Sequence, residues 1–213
     1  MLRLRPGDRV ELFDGQGGHA TATLVDEAAP GRGARRGGGA VVEVGDVRVE
    51  PVPARRLTLC VAACKGPRLD WLVEKCTELG VDRIHLAAFE RSVVHVRAAH
   101  VARLLKVAVE ACKQCGRNRL PLLSAGDAWP LAPAPDERLV VCDPDASATI
   151  GEYIASGPGA LTAVIGPEGG LTDAEHDCLR SMQAVPVRLA AHVLRVETAA
   201  VAVAATWAAA SRA

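Results

Sequence analysis

The sequence predicts an α/β protein in which a small all-β domain, residues 1–54, precedes a mostly parallel α/β domain, residues 55–213. Short strand-like runs separated by turn residues fill the first domain. After residue 54, apolar strand runs alternate with amphipathic helical repeats, which is typical of a parallel sheet with crossover helices. Pro51-Val52-Pro53 lies where the pattern changes and is interpreted as a linker.

Two hairpins are predicted in the first domain, because pairs of strand-like runs flank turn dipeptides. The runs are Val10–Phe13 and His19–Val25 around Asp14-Gly15, then Val41–Val44 and Val47–Val49 around Gly45-Asp46. Between the hairpins, the glycine- and arginine-rich segment 28–39 predicts a flexible basic loop. Four short strands in this span indicate a small barrel.

Five strands and four helices are predicted in the second domain. The strands are 57–63, 84–89, 139–142, 161–165 and 186–189. The helices are 69–79, 99–115, one that opens at the capping box Thr172–Glu175, and 195–210. The apolar residues of the second helix share one face, and they are Val101, Leu104, Leu105, Ala108, Cys112 and Cys115.

Charge is balanced overall but uneven along the chain. Lys plus Arg and Asp plus Glu number 25 each, which excludes a uniformly basic coat for nucleic acid. From Arg91 to Arg119, however, there are seven basic residues and one acid, whereas Leu120 to Asp177 holds one basic residue and ten acids. These segments are either solvated faces or, in the functional interpretation, a basic strip that meets a polyanion.

The seven cysteines are interpreted as reduced thiols, since an odd number argues against a disulfide framework. No apolar stretch follows the charges of Met1–Pro6, so a cytoplasmic protein without a secretory leader is expected. Cys112 and Cys115 have the spacing of half a zinc site, but the other half is missing. Helix-core cysteines are the favoured interpretation, and no metal site is predicted.

Ile165–Thr172 is the most informative segment. It joins a predicted strand to a capped helix, where α/β sheets place ligand-binding loops. Its three glycines let the backbone approach a ligand closely, and Pro167 stiffens the turn. An ordinary tight turn is the alternative, although three glycines and a proline around Glu168 are more than a turn requires.

Leu189–Ala199 is the second such segment. Arg195, Glu197 and Thr198 crowd the start of an otherwise apolar helix. Glu197 or Thr198 could simply cap that helix, but Arg195 opposes the helix dipole there and is therefore a functional candidate.

Together, these two segments resemble the C-terminal signatures of the RsmE family, the 16S rRNA uridine-N3 methyltransferases of the SPOUT class. Gly166–Gly170 reads Gly-Pro-Glu-Gly-Gly, and Leu194–Ala199 follows the family's Leu-Arg-x-Glu-Thr-Ala. Glu74–Val81, Glu90–Val94 and Glu110–Arg117 also match the family in type and order. A departure lies at Leu189–His192, where alanine and histidine replace a glycine and an arginine of the family pattern.

The resemblance implies a C-terminal trefoil knot, an N-terminal PUA-like barrel that binds RNA, and a homodimer. It also implies S-adenosylmethionine (SAM) as cofactor, held by the loops that follow three strands. The residues carried over for SAM are Cys142, Asp143, Ile165, Gly166, Pro167, Glu168, Gly169, Gly170, Leu189, Ala190, Val193, Leu194, Arg195 and Thr198.

The implied reaction is methylation of N3 of uracil 1498 in the 16S rRNA of the small ribosomal subunit. Because N3 is a poor nucleophile until its proton leaves, the enzyme needs a proton acceptor and a group that stabilises negative charge on the uracil. Glu168 and Glu197 are the candidate acceptors, and Arg195 and Arg117 are the candidate stabilisers. Arg195 as stabiliser and Glu168 as base, or as the residue that fixes the loop, form the leading hypothesis.

Basic and polar residues of both domains are the candidates for contact with RNA. They are Arg3, Arg5, Arg9, Arg91, Arg103, Lys113, Gln114, Arg117 and Arg119. For Gln114 and Arg117, a solvent-facing helix stripe is the alternative. The last helix is apolar all round, which predicts burial either in the core of one chain or against a dimer partner.

Two other functions remain open at this point. One is a SPOUT methyltransferase for another RNA. The other is a non-catalytic RNA-binding dimer, in which Ala190 and His192 would have cost the loop its cofactor.

Overall fold

Six parallel strands form the central sheet of the larger part of the chain, in a computed structural model that describes residues 4–27, 40–96, 98–126, 137–157 and 159–210. The chain divides into two compact units, Met1–Val52 and Pro53–Ala213. Segment 28–39, predicted as a basic loop, and Arg3, predicted to contact RNA, lie outside the described residues.

The first unit is an antiparallel sheet of four strands. These are β1 (Arg9–Phe13), β2 (Gly18–Glu27), β3 (Ala40–Val44) and β4 (Arg48–Val49). The first predicted hairpin is confirmed, since β1 pairs with β2 in antiparallel register and Leu12 faces Ala20. Asp14 shapes the turn, because its Oδ1 accepts hydrogen bonds from the backbone N–H groups of Gln16 at 2.6 Å and Gly18 at 2.9 Å.

The second predicted hairpin is wrong. Both β3 and β4 pair with β2, β3 along residues 22–27 and β4 along Gly18 and His19. Gly45 stays next to β2 as well, because its N–H donates to the carbonyl of Thr21 at 3.0 Å. The Gly45-Asp46 dipeptide therefore interrupts one edge of the sheet and does not reverse the chain.

The second unit alternates strands and helices, as predicted. Its strands are β5 (Leu57–Ala62), β6 (Arg83–Ala87), β7 (Leu122–Gly126), β8 (Glu137–Cys142), β9 (Ala160–Ile165) and β10 (Val185–Val187). Its helices are α1 (Pro67–Glu78), α2 (Ala98–Cys115), α3 (Ile150–Ala155), α4 (Asp173–Ser181) and α5 (Val196–Ala210). Strand β7 and helix α3 were not predicted.

All six strands are parallel, in the order β10-β8-β9-β5-β6-β7. Every residue of β5 and β9 is buried, which is expected of central parallel strands that are covered on both faces. Helices α2, α1, α5 and α3 pack side by side in that order, and α5 also contacts β5 and β9.

Helix α2 buries a narrower face than predicted. Leu104, Ala108 and Cys112 are buried, whereas Leu105 is 42% exposed and Cys115 is exposed. Leu105 follows Leu104 directly, so at about 100° per residue it points away from the buried stripe. All seven cysteines are free thiols.

Among the described residues, no helix has both the length and the apolar character that crossing a bilayer requires. The same residues contain no cluster of three or more His, Cys, Asp or Glu side chains arranged as metal ligands.

Candidate functional site

A cleft of about 350 Å³ lies at the carboxyl ends of three neighbouring strands. Strands β10, β8 and β9 are adjacent and parallel, so the connections that follow them leave the sheet at the same edge. These connections are residues 143–149, 166–172 and 188–195, and the first turn of α5 completes the walls. Open α/β sheets bind small ligands at this edge.

Most of the residues predicted to hold a cofactor come together in this cleft. The lining includes Cys142, Asp143, Ile165, Gly166, Pro167, Glu168, Gly170, Leu189, Ala190, Val193 and Leu194. Gly169, Arg195 and Thr198 are not among the lining residues, although each is next to a residue that lines the cleft. Thr198 is an exposed residue of α5, two positions after the lining residue Val196.

Several lining residues were not predicted. They are Pro144, Asp145, Leu171, His176, Val196 and Ala199, whereas His192, which also lines the cleft, belongs to a loop that the family resemblance had named. A signal for Asp145 was available, since it follows a buried strand in an Asp-Pro-Asp turn, and its N–H donates to Oδ1 of Asp143 at 2.9 Å. His176 projects from α4, and only the tertiary fold brings a helix residue of this kind to the cleft.

Gly166–Leu171, here named the glycine loop, is held by a tight turn. The N–H of Gly170 donates to the carbonyl of Pro167 at 2.8 Å, and Gly170 has a φ of +73°, a conformation that favours glycine. A Cβ at Gly166 would lie 3.0 Å from Cδ2 of Leu171. The predicted capping box then starts α4, with Thr172 accepting from the N–H of Glu175.

Arg91 contacts the glycine loop. Its Nη1 donates to the carbonyls of Gly169 at 3.0 Å and Leu171 at 3.4 Å. Arg91 was predicted to contact RNA, and the structure gives its guanidinium these intramolecular partners.

A charged cluster stands beside the cleft. Glu197 is 6% exposed in the first turn of α5, and its Oε1 lies 3.5 Å from Nη1 of Arg68. The same Nη1 is 3.8 Å from Oε1 of Glu168, which is largely exposed. Glu197 Oε2 is buried and has no hydrogen-bond partner among the described residues. Arg68 therefore connects a buried carboxylate to one on the rim of the cleft.

The thiol of Cys64 lies near this charged cluster and responds to its charges. Burial first, and then the negative charges of Glu197 and Glu168, together raise the pKa of this thiol to about 11, although Arg68 acts in the opposite direction. Arg68 was not proposed as a site residue. The signal for it was its position in the first turn of a helix, where a positive charge opposes the helix dipole, as at Arg195.

Arg195 lies directly before α5 and is exposed. Its carbonyl accepts from the N–H of Ala199 at 2.8 Å, which starts the helix. Its neighbours Leu194 and Val196 both line the cleft, so the Arg195 side chain starts from the cleft wall.

Arg117, a predicted catalytic candidate, does not line this cleft. Its Nη1 donates to the carbonyl of Thr77 at 2.9 Å, at the end of α1. Burial lowers the pKa of its guanidinium, whereas the nearby carboxylate of Asp82 raises it. Asp82 accepts from the N–H of Leu57, the first residue of β5. Arg117 therefore lies at the amino ends of the strands, on the opposite edge of the sheet.

The other residues predicted to contact RNA have varied environments. On α2, Arg103 pairs with Asp70, and Lys113 pairs with Glu110 at 2.7 Å. Gln114 is exposed and lines a groove between α1 and α2, and Arg119 is half-buried. In the first unit, Arg5 and Arg9 are exposed.

Comparison with known proteins places this architecture among RNA-modifying enzymes. Residues 50–208 match the family described as RNA methyltransferase domain. A protein of Mycobacterium bovis named ribosomal RNA small subunit methyltransferase E is 32% identical over 211 residues, covering 93% of this chain and 77% of that protein. A protein of Synechocystis with the same name is 29% identical, and this chain spans 65% of its length.

Solved structures agree with these matches. The ribosomal RNA small subunit methyltransferase E of Neisseria gonorrhoeae, bound to SAM, superposes with a TM-score of 0.77 at 28% identity, covering 95% of this chain and 83% of that one. A structure from Legionella pneumophila that contains bound SAM gives a TM-score of 0.81 at 27% identity, covering 97% of this chain and 85% of that one.

Proposed function

The chain belongs to the RNA methyltransferase family and, within it, to the ribosomal RNA small subunit methyltransferase E proteins. We propose that it transfers a methyl group from SAM to N3 of a uridine in 16S rRNA. Uracil 1498 is the proposed target, by resemblance to the family. The observation that carries the proposal is the cleft formed by three loops at the carboxyl ends of β8, β9 and β10.

The residues of the cleft suit SAM. Its volume of about 350 Å³ falls in the range of small-molecule sites. Apolar side chains such as Ile165, Leu189 and Leu194 would pack against the adenine, and backbone groups of the loops would bind its polar edge. Carboxylates of Asp143 and Glu168 suit ribose hydroxyls and a positive sulfonium. When bound, SAM supplies an electrophilic methyl group on that sulfonium.

Exposure separates the roles of the two glutamates. Glu168 lines the cleft and its side chain is 56% exposed, so it can reach the N3 proton of an incoming uracil. Glu197 is buried against Arg68 and serves to fix that arginine. We therefore assign proton transfer to Glu168, and stabilisation of the negative uracil to Arg195 at the cleft wall.

The chain path supports a trefoil knot, which we propose from the family. Strand β10 lies at the edge of the sheet beyond β8, yet the following helix α5 packs on β5 and β9. Residues 188–195 must therefore return across the carboxyl ends of the strands between. The same segment lines the cleft, so the proposed knot and the proposed SAM site share one connection.

The first unit is proposed to be a PUA-like barrel that binds RNA, with Arg5 and Arg9 as contacts. On the second unit, the basic residues of α2, Arg103 and Lys113, are proposed to contact the RNA backbone. The enzyme would work as a cytoplasmic homodimer on the small ribosomal subunit. Light scattering coupled to size-exclusion chromatography tests the dimer.

The experiment that tests the function is methylation of small ribosomal subunits purified from a strain that lacks the corresponding enzyme. Methylation of N3 removes a Watson–Crick donor, so reverse transcriptase should stop next to the modified uridine only when SAM and the protein are both present. A stop at another position would indicate a different RNA target. If the protein bound SAM but methylated no RNA, or bound RNA but was unable to bind SAM, the proposed activity would be refuted.

A further inference from the structure

Two side chains connect the turn Phe89–Ser92, which follows β6, to the glycine loop and to Thr172 directly after it. We propose that this double link, made by Arg91 and Glu175, holds the glycine loop in the conformation that binds SAM. Arg91 is then a positioning residue for the cofactor and not an RNA contact. The inference rests on the proposed function, because it takes the cleft as the SAM site.

The link spans a gap in the sheet. Strand β5 lies between β6 and β9, so the connections after β6 and β9 start two strand spacings apart, about 10 Å. Arg91 crosses this distance and donates from Nη1 to two carbonyls of the glycine loop, those of Gly169 and Leu171. A guanidinium suits this use because it is always charged and has several donors in a fixed plane.

The base of the link is rigid. Phe89 is 2% exposed and anchors the turn in the core. The N–H of Ser92 donates to the carbonyl of Phe89 at 3.0 Å, and the N–H of Phe89 donates to Oγ of Ser92 at 2.9 Å. The N–H of Ala88 donates to the carbonyl of Gly126, at the end of β7. Arg91 therefore projects from a turn that is fixed to the sheet edge.

Glu175 makes the second link from the other side. Its carboxylate is buried, and Oε1 accepts from the N–H of Glu90 at 2.9 Å. Oε2 accepts from the N–H of Thr172 at 2.7 Å and from its hydroxyl at 3.1 Å. One carboxylate thus caps α4 at the end of the glycine loop and fixes the residue next to Arg91.

The glycine loop has little else to hold its outer part. Glu168, Gly169 and Gly170 are exposed, and within the loop the turn bond from Gly170 to Pro167 is the backbone contact that fixes them. The two segments also approach closely, since a Cβ at Gly169 would lie 3.3 Å from Cβ of Arg91. Because the loop lines the SAM cleft, loss of the link should weaken SAM binding by releasing the loop.

The test compares Arg91→Ala, Arg91→Lys and Glu175→Gln with the wild-type protein. Arg180→Ala is the matched control, because Arg180 is an exposed arginine of α4 that pairs with Asp177. Binding is measured as the Kd for SAM by calorimetry and the Kd for a 16S rRNA fragment without SAM. Amide hydrogen exchange is followed at Glu90 and residues 166–171, and methylation rates give the KM for SAM and kcat.

Arg91→Ala should raise the Kd for SAM about tenfold, with less change in Arg91→Lys. The RNA Kd should stay within about twofold, and amides of the glycine loop should exchange faster without SAM. Glu175→Gln should weaken SAM binding and speed exchange at Glu90, although it removes no positive charge. Its KM for SAM should rise more than its kcat falls, and Arg180→Ala should match wild type.

The RNA-contact alternative predicts the reverse. Arg91→Ala would then weaken RNA binding, reduce its salt slope by about 0.9, and leave SAM affinity and amide exchange unchanged, which would overturn the inference. If the wild-type protein itself fails to bind SAM, the proposed function fails. Amide exchange without SAM still decides in that case whether Arg91 and Glu175 fix the glycine loop.

Discussion

At the scale of single residues, Glu168 and Glu197 show how a difference in burial gives two identical carboxylates different roles. Both carboxylates lie near Arg68, but the side chain of Glu168 is 56% exposed and that of Glu197 is 7% exposed. A proton acceptor must meet the substrate, whereas a buried carboxylate beside an arginine has a mainly structural effect.

We expect Glu168→Gln to lower kcat roughly 100-fold, as the loss of a general base does, while urea unfolding stays close to wild type. Glu197→Gln should keep much of the activity and lower the free energy of unfolding by about 1 kcal/mol, because the amide binds Arg68 less strongly. Single-turnover methylation and urea titration measure the two effects. An inactive Glu197→Gln beside a fully active Glu168→Gln would reverse the assignment.

The thiols give a second prediction at this scale. Burial raises the pKa of Cys64 to about 11 and those of Cys76 and Cys142 to about 12, from an ordinary value of 9.0. Alkylation requires the thiolate, so iodoacetamide at pH 8 should modify the exposed Cys115 and Cys178 first. Mass spectrometry of digested protein gives the order, and early labelling of Cys76 would contradict it.

The same pKa shifts fix the sign of a pH effect on stability. The folded protein keeps these protons above pH 9, where the unfolded chain loses them. Their contribution to stability is therefore complete below pH 9 and is lost as the pH rises toward about 12. The free energy of unfolding of Cys76→Ala should fall less steeply between pH 9 and 11 than that of wild type, and an equal or steeper fall would exclude this cause.

At the scale of elements, helix α5 connects the cleft to the core. Trp207 is 4% exposed near its end, and the guanidinium carbon of Arg55 lies 4.3 Å from the Trp207 ring centroid. Nη1 of Arg55 also donates to the carbonyl of Ala210 at 2.9 Å, close to the helix C-terminus. The helix that starts at the proposed SAM cleft is thus fixed at its other end to the start of the α/β unit.

Trp207→Ala should lower the free energy of unfolding by about 3–5 kcal/mol, because it leaves a large cavity. Arg55→Ala should lower it by about 1–2 kcal/mol, through the lost contact with the ring and the lost carbonyl partner. Urea titration with tryptophan fluorescence or circular dichroism measures both. A smaller loss for Trp207→Ala than for Arg55→Ala would contradict the packing described.

Elements with a local signal were predictable from the sequence, and those fixed by distant partners were not. The buried strands β5 and β9 and the capping box of α4 were predicted correctly. Helix α3 was missed, although Thr149 and Glu152 form a capping box that can be read from the sequence. The pairing of β3 and β4 with β2 could not be predicted, because partner choice depends on contacts across the sheet.

The candidate site likewise has features that could be predicted from the sequence and features that could not. The loop after β9 was predictable because its glycines follow a buried strand, whereas the set of three loops came from the resemblance to the RsmE family, and all three line the cleft. The carbonyl partners of Arg91 and Arg117 could not be predicted, because charge in a sequence does not show which carbonyl a guanidinium reaches. The link from Glu175 to the N–H of Glu90 joins residues 85 positions apart, and a single sequence has no signal for it.

At the scale of the whole molecule, the net charge is zero, but acidic and basic residues are concentrated at different places on the second unit. The charged residues that line the cleft are the acids Asp143, Asp145 and Glu168, whereas the exposed basic residues of α2, such as Arg103 and Lys113, lie on another part of the unit. A negative cleft favours a sulfonium and disfavours phosphates, so we expect the RNA backbone to bind outside the cleft.

The affinities for RNA and for SAM should therefore depend differently on salt concentration. The Kd for RNA should rise steeply with NaCl. In a plot of log Kd against log [NaCl], each bound phosphate should add roughly 0.7–0.9 to the slope, while the Kd for SAM changes little. Fluorescence anisotropy for RNA and calorimetry for SAM, both between low and high salt, measure the two slopes. Equal slopes would place phosphate contacts in the cleft.

Calorimetry of SAM binding to Ala190 variants tests the central claim, that three loops at the end of the sheet bind the cofactor, most directly. Ala190 is exposed and lines the cleft. Among the described residues, Gln183 is the one non-glycine residue with a positive φ, so the backbone at Ala190 has ordinary geometry. Wild type should bind one SAM per chain, Ala190→Gly within about threefold of it, and Ala190→Trp not at all, with unfolding unchanged. No binding by wild type, or equal binding by Ala190→Trp, would contradict the account.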